Sequence, residues 1–99
     1  MRVVGQEHVW AAGDCVESFD RVSTSWVHVP LGTHANKQGR VVGINLTGGY
    51  ATFPGVVRTA VSKVCDLEIA RTGLREVDAA AAGFAHVAVT VRSTTRAGY

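Results

Sequence analysis

Cysteine is scarce in this sequence. Cys15 and Cys65 lie far apart and form no C-x-x-C pair, so neither a redox dithiol nor a zinc site is signalled. Both are expected to be buried free thiols. His8, His28, His34 and His86 have no ligand spacing with cysteines or carboxylates, which leaves a metal centre without support. No apolar run approaches the length of a membrane span, and the start lacks the apolar stretch of a signal peptide. Charge of one sign is wanting as well. The formal net charge is +2 over 99 residues with Lys and Arg scattered, which argues against a nucleic-acid surface. The expectation is a soluble, cytoplasmic chain with neither nucleic-acid nor membrane partners. What is present is apolar residue: at 46% hydrophobic, the chain calls for a packed core rather than disorder.

Residues 1–7 are mixed and read as a loop. Val9 to Ala12 reads as a short buried strand that stops at Gly13-Asp14. The glycine lets a backbone or ligand approach closely, and the aspartate places a carboxylate at the strand's carboxyl end, where open α/β sheets bind ligands. Such a carboxylate can accept two hydroxyl hydrogen bonds, which suits a sugar or ribitol chain. An ordinary strand-to-turn junction accounts for the same residues. Val16 to Ser25 is polar enough to be a loop, and Trp26 to Leu31 is a short apolar approach.

The next stretch reads as a helix, with Thr33 as N-cap and Gly48-Gly49 closing it. Ala35, Val42 and Leu46 fall on one face with Gly39 close by, and Gly39 with Gly43 forms a small-residue ridge. Each internal glycine costs about 1 kcal/mol relative to alanine, so the pair suggests close packing against a sheet or ligand. Backbone N–H groups at Gly32-Thr33 would face an electron-rich group with the positive end of the helix dipole. A plain capped helix on a sheet fits equally. Asn45-Leu46-Thr47 is formally a glycosylation sequon, discounted for its place in a helix.

A boundary rich in glycine and proline covers 48–55. Beyond it, Val56–Val64 and Leu67–Thr72 are rich in β-branched residues and suggest two antiparallel strands joined near Cys65-Asp66. Arg75 to Ala82 reads as a short helix with Gly83 as its C-cap. Val87, Val89 and Val91 alternate with Ala88, Thr90 and Arg92, the period of a half-buried strand. The fold class is therefore α+β: the end of an α/β layer, then an antiparallel sheet and helix.

Val9-Trp10-Ala11-Ala12-Gly13-Asp14-Cys15, followed by Pro30-Leu31-Gly32-Thr33 and Ala35-Asn36-Lys37-Gln38-Gly39-Arg40, resembles the FAD-dependent pyridine nucleotide-disulfide oxidoreductases. The branch it resembles best is that of the coenzyme A-disulfide reductases and NADH oxidases. Phe53-Pro54-Gly55, Thr59 to Val64, Asp66 to Leu74 and Arg96 to Tyr99 look like the opening of that family's dimerisation domain. The resemblance implies an FAD-binding piece over residues 1–48, a linker over 49–55 and a partial dimerisation domain over 56–99. It implies that Gly13 and Asp14 bind FAD through the ribitol, and that Leu31, Gly32 and Thr33 meet the isoalloxazine ring through backbone groups. It also implies NAD(P)H as co-substrate, a homodimer, and Tyr99 at the start of a segment reaching the partner's site.

The departures are as informative. No G-x-G-x-x-G occurs, so both dinucleotide fingerprints of the family are missing, and the redox cysteine has no counterpart. Cys65 stands where relatives often carry an aromatic residue, which suggests a core-filling role. Arg75 replaces the usual capping threonine and is expected to weaken its helix start by about 1 kcal/mol. The chain is thus expected to be a piece of a flavoenzyme that passes electrons from NAD(P)H to coenzyme A disulfide, oxygen or peroxide, inactive alone. A non-catalytic dimerisation module and a degraded gene piece are the alternatives.

Overall fold

The computed structural model describes residues 1–94 and 96. Six short elements follow in order: β1 (Ser18–Asp20), β2 (Ser25–Val27), α1 (Gly32–Leu46), β3 (Ala60–Val64), β4 (Leu67–Arg71) and α2 (Glu76–Ala81). They build two separate two-stranded antiparallel sheets, β1–β2 and β3–β4. The α+β character is as expected, but the strands are fewer and shorter.

The strand expected at Val9–Ala12 is absent. Its residues form one antiparallel bridge, Arg2 to Trp10, supported by Val3 N–H donating to the Val9 carbonyl at 2.9 Å. The Arg2 guanidinium lies 5.4 Å from the centre of the Trp10 ring. A further bond runs from Ala11 N–H to the Met1 carbonyl at 3.1 Å, and no other backbone pairs with these residues among those described.

The loop expected at Val16 to Ser25 is instead most of a hairpin. Phe19 opposes Trp26 across it, their rings edge-to-face with centroids 5.8 Å apart. The polarity of β1 is inverted relative to an ordinary half-buried strand. Ser18 and Asp20 point inward and are buried, while Phe19 faces out. Asp20 also sets the turn, its Oδ1 accepting from Val22 N–H at 2.8 Å, an aspartate turn that mimics a backbone turn.

Helix α1 begins two residues earlier than expected. Its N-cap is Leu31, in extended conformation and with no side-chain cap, so Thr33 lies within the first turn. The end is as expected. Gly48 takes φ +86°, and Gly49 N–H reaches the Ile44 carbonyl at 2.9 Å while Gly48 N–H reaches Asn45 at 3.3 Å, the paired bonds of a Schellman cap. The buried face centres on Gln38 and Val41 rather than on Leu46, which is exposed. A Cβ built on Gly39 or Gly43 meets nothing within 4 Å, so the small-residue ridge lies open among the described residues. Asn45 is engaged internally, its Nδ2 donating to the carbonyls of Val41 and Ala51.

The second half holds the hairpin expected there, with Ala60 opposite Arg71 and Val64 opposite Leu67. Cys65 occupies the turn at φ +53°. Both thiols are exposed, correcting the expectation of buried cysteines and of a core-filling Cys65. In α2 the N-cap Arg75 makes no capping bond, but its guanidinium grips Asp78 through Nε at 2.7 Å and Nη2 at 3.1 Å. The paired bonds of Gly83 N–H to Ala80 and Phe84 N–H to Ala79 end that helix. No strand forms at Val87 to Val91, whose three valines are exposed. A lone segment has no ladder to join, and none is offered among the described residues. Tyr99 lies outside the described residues.

The small interior sits where α1, β1 and the 53–58 segment meet. Val56 is buried and exchanges backbone bonds with β1 and the residue that follows it: Arg21 N–H donates to Val56 O at 2.9 Å, and Val56 N–H to Phe19 O at 2.8 Å. Gly55 makes this approach possible. It takes φ +93°, and a Cβ there would overlap the Phe19 carbonyl oxygen. The radius of gyration is 17.3 Å, well above the roughly 13 Å of a compact domain of about 100 residues. The β3–β4 hairpin contributes to the exposed apolar surface, with Val61 and Leu67 more than half exposed.

Candidate functional site

Gly13 and Asp14 are held against the first turns of α1 by two side chains. Gln38 is wholly buried. Its Oε1 accepts from Gly13 N–H at 2.7 Å, and its Nε2 donates to Ser18 Oγ at 2.8 Å. Gly13 has φ +91°, and a Cβ on it would come 3.9 Å from the Ala35 Cβ. On the other side His28 Nε2 lies 2.7 Å from the Asp14 carbonyl oxygen, tying the 13–14 bend to the segment that enters α1. The local reason is simple. An amide side chain can accept from a backbone N–H through its oxygen and donate to a hydroxyl through its nitrogen at once.

These ties leave the Asp14 carboxylate exposed, with no hydrogen bond to it among the described residues. Leu31, Gly32 and Thr33 line one side of an open cleft of about 680 Å³, closed on the other side by Phe53, Val56 and the start of β3. As first-turn residues, Gly32 and Thr33 have N–H groups with no intrahelical acceptor. The five residues singled out in the sequence thus gather around the start of α1. The cleft itself takes in Leu31, Gly32 and Thr33 but not Gly13 or Asp14.

This donor set fits a flavin's polar tail and ring. A solvent-facing carboxylate suits hydroxyl donors, and unpaired helix N–H groups with their positive dipole suit an electron-rich ring edge. Gly13 contributes shape rather than a donor, since its N–H is already taken by Gln38. Gln38 and His28 carry the geometry and were not singled out as site residues by the sequence. A glutamine inside an amphipathic helix pattern, on the face that should be apolar, was the available signal.

A second polar cluster lies behind the site. Asp20 is fully buried and accepts from Arg58 Nε, whose Nη1 also lies 3.5 Å from Asp78. Burial pushes the Asp20 carboxyl up, but the Val22 and Ser23 bonds with that from Arg58 outweigh it and hold it below the usual carboxylate range. The Arg75 guanidinium holds Asp78 down to about 2. Among the described residues no group of three or more His, Cys, Asp or Glu side chains could hold a metal ion, and no helix is long and apolar enough to cross a membrane.

No family model matches the chain. It is 41% identical over 93 residues to the NAD(P)H coenzyme A polysulfide/persulfide reductase of Pyrococcus horikoshii, a match covering 94% of this chain and 21% of that protein. It is 40% identical over 92 residues to the NADH oxidase of Methanocaldococcus jannaschii, covering 93% and 20%. Among solved structures, an NAD-dependent persulfide reductase from A. fulgidus matches with TM-score 0.76 and 49% identity over 80% of this chain and 15% of that one. The chain therefore spans about one fifth of the length of the curated relatives it matches. These relationships make the chain homologous to one stretch of coenzyme A persulfide and polysulfide reductases and of an NADH oxidase.

Proposed function

We propose that the chain supplies the flavin-facing end of an FAD domain over residues 1–48, a linker over 49–55, and the opening of a dimerisation domain over 56–99. The enzyme so served takes electrons from NAD(P)H to a coenzyme A-linked disulfide or persulfide, or to oxygen or peroxide. The observation that carries this reading is the exposed Asp14 carboxylate held beside the start of α1 by Gln38 and His28. FAD, when bound, supplies hydride acceptance from the nicotinamide and onward two-electron transfer. Asp14 accepts ribitol hydroxyls, the backbone of Leu31, Gly32 and Thr33 orients the ring, and the dipole of α1 favours negative charge at the ring edge. None of the described residues is assigned the nucleophile or the nicotinamide site, so the chain alone is expected to show no turnover of NADH.

The test is FAD binding by the whole chain, read by quenching of flavin fluorescence, for the native sequence and for Asp14→Ala. Binding weakened at least about tenfold by the substitution, the loss of a charge-assisted bond, is the expected result. Binding indifferent to Asp14 would overturn the assignment.

A second reading, a non-catalytic dimerisation module, is favoured by the exposure of Val61, Val64, Leu67 and Ile69 on one hairpin. A stable dimer in light scattering, together with no Asp14-dependent flavin uptake, would select it.

A further inference from the structure

A smaller cleft of about 390 Å³ shares Leu31 with the flavin-facing cleft. Its walls are the His28–Leu31 segment together with Arg58, Arg71 and Arg75. No carboxylate lines it. The volume falls within the roughly 300–1,000 Å³ of small-molecule sites, and the lining brings Arg58 together with Arg71 and Arg75 from the β4–α2 junction.

The charges there do not cancel. Arg58 is paired with Asp20, which is wholly buried and so turned away from solvent. Arg58 and Arg75 share Asp78. Two carboxylates thus offset two of the three cations, and Arg71 has no ion pair among the described residues. The same carboxylates hold two of the guanidiniums in fixed orientations, which lowers the ordering cost of binding a ligand. Leu31, at the cleft's edge, is the N-cap of the 15-residue α1 and carries no side-chain cap, so the positive end of that helix adds to the same field. Planar guanidiniums in a forked arrangement match phosphate oxygens bidentately.

We propose that this cleft binds the phosphate or pyrophosphate group of an anionic ligand, with Arg71 as its principal contact and Arg58 and Arg75 as oriented supports. The inference stands apart from the flavin reading in its three arginines, none of which that reading uses, although the two clefts share Leu31 and the field of the α1 N-terminus. Phosphate-bearing coenzymes are one source of such a group and inorganic pyrophosphate is another.

The experiment is calorimetric titration of the whole chain with inorganic pyrophosphate, coenzyme A and NADH in parallel, at low and at raised ionic strength. Saturable one-to-one binding of pyrophosphate is expected, weakened about tenfold or more by Arg71→Ala and less by Arg71→Lys. Lys63→Ala removes the same charge from the same hairpin outside the cleft, and should leave affinity within about twofold at raised salt. Tighter binding of coenzyme A or of NADH than of pyrophosphate would support the site and identify the source of its phosphate. Absence of saturable binding to all three, or equal losses for Arg71→Ala and Lys63→Ala, would overturn the proposal. Retention of the native circular dichroism spectrum by Arg71→Gln separates loss of the site from loss of the fold.

Discussion

Arg58 donates through Nε to the carboxylate of Asp20, a residue 38 positions earlier and without solvent exposure. The pair joins the first hairpin to the segment leading into β3, and Arg58 adopts φ +55° to make it. A left-handed conformation costs a non-glycine residue about 1–2 kcal/mol, so the ion pair holds the backbone in a turn it would otherwise avoid.

Removing that guanidinium leaves a buried charge unpaired. Arg58→Ala is expected to lower unfolding free energy by about 3–5 kcal/mol. Arg58→Gly loses the same pair but relaxes the backbone, so it should be the milder variant by about 1 kcal/mol. Urea denaturation of the three proteins measures both effects, and equal losses would show that the backbone of Arg58 is not strained.

Gly55 and Gly48 both have positive φ, but only Gly55 faces an obstacle. Gly55→Ala would drive a methyl group into the Phe19 carbonyl and part the segment from β1. Gly48→Ala meets open space and should cost about 1 kcal/mol, the conformational term alone. Thermal melts should therefore rank Gly55→Ala well below Gly48→Ala.

Gln38→Leu preserves volume and abolishes two hydrogen bonds at once. It leaves the Gly13 N–H and the buried Ser18 hydroxyl without their partner, at a cost of about 1–3 kcal/mol for each group left unsatisfied. If the flavin assignment holds, FAD affinity should fall as well, although Gln38 itself is buried. Amide hydrogen exchange at Gly13, faster in the variant, reads the structural part directly.

The acid limb of stability follows from Asp20 and Asp78. Both have folded-state values below the ordinary carboxylate value, Asp78 at about 2. Their stabilisation is therefore fully present above about pH 4 and is lost as pH falls through the folded values. A denaturation series should show stability flat from pH 7 to about 5 and declining below about 4. Asp78→Asn should flatten part of that decline. A decline centred above pH 5 would point to other groups.

Several features were readable from residue pattern because they depend on neighbours in sequence. Gly48-Gly49 announced the end of α1, Cys65-Asp66 the turn of the second hairpin, and Gly83 the end of α2, each a matter of which backbone angles a residue tolerates. The order Gly13-Asp14, Leu31-Gly32-Thr33, Phe53-Pro54-Gly55 was enough to point to the oxidoreductase family, and the relatives bear that out. Pattern failed where partners are distant or lacking. Val9–Ala12 and Val87–Val91 carry strand-like residues but find no ladder among the described residues. Ser18 and Asp20 read as loop because their buried partners, Gln38 and Arg58, lie 20 and 38 residues away.

The sequence by itself determined the glycine-marked ends of the helices, the turn of the second hairpin and the chemical identity of the groups around Asp14, because those follow from local backbone preference and side-chain type. Tertiary structure alone decided that Gly13-Asp14 lies against α1, that a glutamine rather than an aliphatic residue holds it there, and that three arginines share one cleft. Each of those depends on where the chain returns to itself. A hydrogen-bond donor or a charge has no assigned role until the acceptor or counter-charge that meets it is in place.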